Sequence, residues 1–242
     1  MPNVVNITLD EARELVSNRL LWPRVSEFLW DFAPQVHESW LEDVLATKNA
    51  ENAKNGKNAL CDLCALCGKE RNAPRVKRYI LESLGVEPCF HTFPKEDGSR
   101  ILLLDSATLE SAAKWLGALA CAESLRRVTS GEVVRGLKSK LRGIYPEVFG
   151  FSEYFRKLKV ENVKCTGGED VGEHIVRVGS SLLFALVGQL PKPLRDRLRF
   201  KLPKALSSGE CSDSQLSALN FKLSTLQLLL KLRFPEAYKL CC

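Results

Sequence analysis

The sequence predicts a mostly α-helical, globular multi-helix fold. Helix-start signals recur along the chain, apolar residues return at intervals of three and four, and alternating strand patterns are scarce. The 242 residues are enough to bury a real core, and 45% hydrophobic against 26% charged residues is the balance of an ordinary soluble globular protein.

The elements follow in chain order. "TLDE" at Thr8–Glu11 has the form of a capping box, in which the threonine hydroxyl accepts from an exposed amide and the glutamate reaches back. Ile7 and Ala12 stand beside it at staple positions. "SWLE" at Ser39–Glu42 has the same form and predicts Ser39 as the cap of a helix beginning at Trp40. Asn72 caps a predicted helix running to Leu84, with Gly85 as its stop. "RILLLD" (Arg100–Asp105) follows the turn-like "PKEDGS" and is the best strand candidate. Paired with "CFHTF", it would make one short β-hairpin near residues 89–105.

After Ser106, residues Leu109, Ala112, Leu116, Leu119 and Ala120 form one helical face, with Ala113, Gly117, Ala118 and Cys121 beside it allowing close packing. "TSGE" (Thr129–Glu132) and "SDSQ" (Ser212–Gln215) are further capping boxes. Leu216, Leu219, Leu223, Leu226 and Leu230 then step by three and four until Pro235. Ala50–Asn58, Asn162–Asp170 and Leu206–Ser214 read as polar connectors. A single mostly helical domain over residues 1–242 is expected, with any subdomain boundary near 162–170.

The formal charge of +6, with pI about 8.8, suits an acidic protein partner, a membrane-proximal location or nucleic acid. The most apolar run, Ser180–Leu190, is too short to cross a bilayer. "MPNVVNITLDEAREL" lacks the basic start and apolar core of a signal peptide. Nine cysteines, an odd number ending in Cys241–Cys242, point to a reducing cytoplasm and not to a disulfide framework.

Several stretches invite a chemical reading. "HESWL" (His37–Leu41) is one residue short of the zinc motif H-E-x-x-H, because Leu41 holds the second ligand position. With Ser39 as the cap, His37 lies before the helix, so the stretch reads as a helix start. "CDLCALC" spaces Cys61, Cys64 and Cys67 as iron–sulfur or zinc ligands, with Cys89 or His91 as a fourth. Its surroundings are apolar, however, and a buried helix using cysteine as a small hydrophobe fits better than a metal site.

Positive charge concentrates in two places. Arg126, Arg127, Arg135, Lys138, Lys140 and Arg142 stand against Glu132; Lys192, Arg195, Arg197, Arg199, Lys201 and Lys204 stand against Asp196. In the first stretch Val133, Val134, Leu137 and Leu141 can face the core while Arg135, Lys138 and Arg142 share the outer side. Solvated helix faces or a surface for an acidic protein would both use this pattern. No phosphate-binding loop and no G-x-S-x-G elbow occurs, "GEDVGE" reads as another helix start, and His37, His91 and His174 are scattered. No catalytic residue, cofactor or enzyme activity is therefore expected.

"FLWDFAPQVHESWL" (Phe28–Leu41) resembles the N-terminal signature of the SctK family, an aromatic segment leading through a proline to a histidine and Ser-Trp-Leu. "LESAAKWLGALACAESLRRVTSGEVVRGLKSKL" (Leu109–Leu141) resembles that family's central pattern through Leu116 and Gly117, Leu125 and Arg126, Gly131, and Val134, Arg135 and Leu137. His37, Ser39, Trp40 and Leu41 are the sharpest element. The matches cover about a quarter of the chain, and the cysteine content departs from the family.

The resemblance implies a helical, non-enzymatic scaffold of the type III secretion injectisome. Such proteins lie in the bacterial cytoplasm at the inner membrane and connect the ring protein SctD to the pod protein SctQ. Through these they reach the stator SctL and the export ATPase. On this reading Arg126, Arg127, Arg135, Lys138 and Arg142 form the docking face, and neither nucleic acid nor a membrane span is involved. The alternative is a helical nucleic-acid-binding protein using both basic stretches, 126–142 and 192–204, although poor aromatic interleaving counts against single-strand binding.

Overall fold

The computed structural model describes residues 13, 15–44, 46, 74–89, 91–94, 96–152, 171–207 and 223–242. Its helices are α1 (Leu21–Trp30), α2 (Pro74–Ser83), α3 (Ser106–Ala120), α4 (Ala122–Arg126), α5 (Gly131–Leu141), α6 (Ile144–Phe151), α7 (Val171–Leu186), α8 (Lys192–Lys201), α9 (Lys204–Ser207), α10 (Leu223–Arg233) and α11 (Pro235–Cys241). Residues 38–44 are also helical, and Ala33–Gln35 and Ser99–Leu103 form 3₁₀ turns. Among the described residues there is no strand, so the predicted helical class holds. None of the described helices is long and apolar enough to cross a membrane.

The chain forms two compact units, residues 1–106 with 190–204, and residues 107–189 with 205–242. The Thr8–Glu11 and Ser212–Gln215 boxes, Asn72, Leu216, Leu219 and the connectors at 50–58 and 162–170 lie outside the described residues.

In the first unit α1 buries Leu21, Val25, Phe28 and Leu29. Asn18 Oδ1 accepts from the amides of Leu20 and Leu21 at its start. At the end of α2, Gly85 takes φ 64°, the Val86 amide donates to Leu81 O, and the Gly85 amide donates to Glu82 O. That is a Schellman stop, and it explains the glycine predicted there.

Among the described residues, the hairpin expected near residues 89–105 is not formed. Ser99–Leu103 is a 3₁₀ turn after Gly98 (φ 73°), and all five of its residues are buried. A continuous apolar run is compatible with a strand or with a segment enclosed on every side, and periodicity alone does not distinguish them. Here α1 and α8 pack against it. Arg100 donates to Phe93 O at 2.8 Å, tying the turn back to the preceding segment.

In the second unit, α3 buries Leu109, Ala112, Ala113, Leu116, Leu119 and Ala120 as its periodicity requires. It crosses α7 at backbone contact. A Cβ placed on Gly117 would lie 1.8 Å from Ile175 O, and one on Gly179 would lie 1.7 Å from Ala113 O. Nearby, the Arg233 guanidinium stands 4.4 Å from the Trp115 ring and 5.5 Å from Phe151, and pairs with Glu147 at 2.5 Å. These contacts hold the foot of α10 against α3 and α6.

Candidate partner-docking surface

Of the two basic stretches, the first builds a surface. Helix α5 begins after Ser130, whose extended backbone (φ −67°, ψ 121°) makes it the N-cap. The predicted Thr129–Glu132 box is absent, because no side chain caps this helix. Leu137 and Leu141 are buried and Val133 and Val134 half-buried, so the opposite side faces outward. Arg135, Lys138 and Arg142 are exposed there, and none forms a hydrogen bond or ion pair with any described residue.

The neighbouring cations are engaged. Arg126 donates to Ser152 Oγ at 2.8 Å and to Phe149 O at 3.3 Å, Arg127 pairs with Glu123 at 3.0 Å, and Lys140 pairs with Glu173 at 3.4 Å. The five expected docking residues are all exposed and divide into Arg126 and Arg127, which make surface contacts within the chain, and Arg135, Lys138 and Arg142, which make none with a described residue. Arg142 ends the helix at φ 42° and ψ −126°, followed by Gly143 at φ −62°. That is the first central position of a type II′ turn, where glycine is usual, and a side chain held there costs about 1–3 kcal/mol.

The second stretch does something different. Arg197 and Lys201 are only 2% and 1% exposed. Arg197 reaches the last carbonyls of α1, donating to Phe28 O and, at 3.2 Å, to Leu29 O, and its other arm donates to Glu87 O at 3.2 Å. Lys201 Nζ donates to Leu102 O and Leu104 O, both at 2.7 Å, and lies 5.1 Å from the Phe28 ring centre. Burial pushes the Lys201 pKa down to about 7, against the upward pull of Glu27 and Asp105. Burial also disfavours the charged form of Arg197. Lys192 pairs with Asp196 and Lys204 with Asp43, which leaves Arg195 and Arg199 as the outward cations without a described ion pair.

The sequence held a signal for this arrangement. Leu194, Arg197, Leu198 and Lys201 follow the three-four spacing of a single helix face, and that face is the inward one.

The chain matches no protein-family model, no curated protein and no solved structure. Its functional reading therefore starts from the residues themselves.

HESWL starts a helix, but Ser39 is not its cap. The helix begins at residue 38, and His37 Nδ1 accepts the Ser39 amide at 3.1 Å. Ser39 Oγ lies 2.9 Å from that nitrogen and accepts the Lys204 amide at 2.9 Å. An imidazole one residue before a helix can present Nδ1 as a serine presents its hydroxyl, which the box pattern does not anticipate. The His37 amide donates to Phe200 O at 2.8 Å and Trp40 Nε1 to Leu202 O at 2.9 Å. Trp40 and Leu41 are buried, Phe200 meets the indole edge-on at 5.0 Å, and Arg199 lies 5.2 Å from the Trp40 ring centre. The stretch thus fastens the start of its helix to the end of α8.

Cys61, Cys64 and Cys67 lie outside the described residues. Cys89 is half-buried, and burial raises its thiol pKa although Arg197 pulls the other way. Among the described residues no three His, Cys, Asp or Glu side chains gather as a metal ion would require.

Proposed function

We propose that the chain is a non-enzymatic connector of the type III secretion sorting platform, joining the cytoplasmic domain of the ring protein SctD to the pod protein SctQ. Through the pod it reaches the stator SctL and the export ATPase, working in the bacterial cytoplasm at the face of the inner membrane. The observation that carries the reading is the outer side of α5, where Arg135, Lys138 and Arg142 are exposed and find no described partner within the chain. Charge left unpaired on one helix side is suited to steering and orienting an acidic protein. The resemblance of Phe28–Leu41 and Leu109–Leu141 to SctK proteins makes SctD and SctQ the two candidates for that protein. The nucleic-acid alternative required both basic stretches, and Arg197 and Lys201 of the second are spent on backbone carbonyls inside the first unit.

The test is co-purification of the tagged chain from its own bacterium after gentle solubilisation, with bound proteins identified by mass spectrometry. Recovery of the ring and pod proteins is expected. Recovery of nucleic-acid proteins with no secretion component would overturn the assignment.

A further inference from the structure

We infer that the outer side of α5 receives a mixed-charge helix of the partner protein, with carboxylates opposite Arg135, Lys138 and Arg142 and a basic side chain opposite Glu132. The inference rests on the connector reading of this face and names the form its partner takes there. Residues 132, 135 and 138 are separated by three and three, which sets their side chains along one side of the helix, and Arg142 follows in the turn that ends it. All four are exposed. Open space adjoins them: a Cβ added to Gly131, before Glu132, or to Gly136, beside Arg135, would meet nothing. A partner helix carrying acids at the same spacing meets Arg135 and Lys138 in register and runs on past Arg142 at the helix end, which an extended segment, with side chains alternating to opposite faces, does not.

The carboxylate decides between partner classes. Glu132 lies one turn from Arg135 on the same side, and Glu173 stands by α5 in its pair with Lys140. A phosphate backbone presents one sign only and is repelled at Glu132. A protein helix can place a lysine or arginine there and turn the same carboxylate into a recognition contact.

The experiment uses the full chain in extract of its own bacterium, joined to its partner by a carbodiimide that links lysine amines directly to carboxylates, with the linked peptides identified by mass spectrometry. Wild type is compared with Arg135→Glu/Lys138→Glu and with Glu132→Lys, and the purified proteins are run in parallel over heparin and duplex DNA. Lys138 should link to an Asp or Glu in a segment whose acids recur every three or four residues. Partner recovery should fall at least about tenfold at low salt in the double reversal, and should fall also in Glu132→Lys although that variant gains positive charge. Increased partner recovery by Glu132→Lys would overturn the proposal, as would DNA retained by wild type and lost in the double reversal. If ring and pod proteins co-purify unaffected by either reversal, the docking mode fails and the connector reading stands. Linkage to an acidic helix of a protein outside the secretion apparatus would leave the docking mode standing and remove the connector reading.

Discussion

In water a lysine ammonium holds its proton to about pH 10. Lys201 is enclosed by Phe28, Leu102 and Leu104, where burial brings its pKa to about 7. Its neutral amine retains two N–H donors, enough for both carbonyls. Between about pH 7 and the ordinary lysine value the unfolded chain holds a proton that the folded chain has released, so stability rises with pH across that window. As pH falls through the folded value the gain is lost. In urea unfolding, wild type should gain stability from pH 7 to 9 relative to Lys201→Met, with the difference approaching tenfold in the folding equilibrium per unit. A difference that stays constant with pH would show that Lys201 does not titrate there. Trp40→Phe keeps the ring in place but strands Leu202 O, and should cost about 1–2 kcal/mol in the same assay. At this scale the sequence was only partly legible. Burial of Trp40 and Leu41 followed from their residue types, whereas the cap at His37 is an imidazole accepting the Ser39 amide, which the box pattern does not anticipate, and the inward turn of Arg197 and Lys201 depends on carbonyls supplied by distant segments.

Helix α3 was legible as an element because its apolar face and its small residues are written at a spacing of three and four, but residues 115–120 are buried on every side, Trp115 included, which that spacing does not show. Ala113 and Gly117 were readable as small; that they meet Ile175 and Gly179 of α7 was not, since that pairing joins residues some sixty positions apart. Gly117→Ala and Gly179→Ala each force a methyl into a backbone carbonyl. Each should lower stability by about 3 kcal/mol or more, whereas Gly136→Ala, which meets nothing, should be neutral or slightly stabilising from its helix preference. Thermal melts of the three variants would check the contrast, and equal midpoints would show that the helices can separate without penalty. The 99–103 segment failed as a strand for a related reason: an uninterrupted apolar run carries no alternation, and its enclosure by α1 and α8 decided its shape.

Among the described residues, positive charge is divided between side chains held in contacts and side chains left outward. Arg197, Lys201 and Arg233 are held against carbonyls, rings or a carboxylate, while Arg135, Lys138 and Arg142 contribute nothing visible to packing. Reversing Arg135 and Lys138 together should therefore leave the thermal midpoint within about 1–2 °C of wild type, because exposed substitutions away from structural contacts stay near ±0.5 kcal/mol. A large fall in the midpoint would assign these residues to the fold. Composition announced how much positive charge there is but not this division, because sorting the cations requires knowing which helix sides are covered.

The first unit takes α8 from residues 190–204, far downstream of its other elements. A ribosome delivers the chain from its N-terminus, so Phe28, Phe32 and the 99–103 turn emerge long before the cations and leucines that enclose them. Until α8 is made, those surfaces have only temporary company, and the second unit's α3 to α7 are synthesised in the interval. Completion of the first unit therefore waits on translation of a segment more than eighty residues later, and a chain stalled before it would lack the Arg197 and Lys201 that cover Phe28.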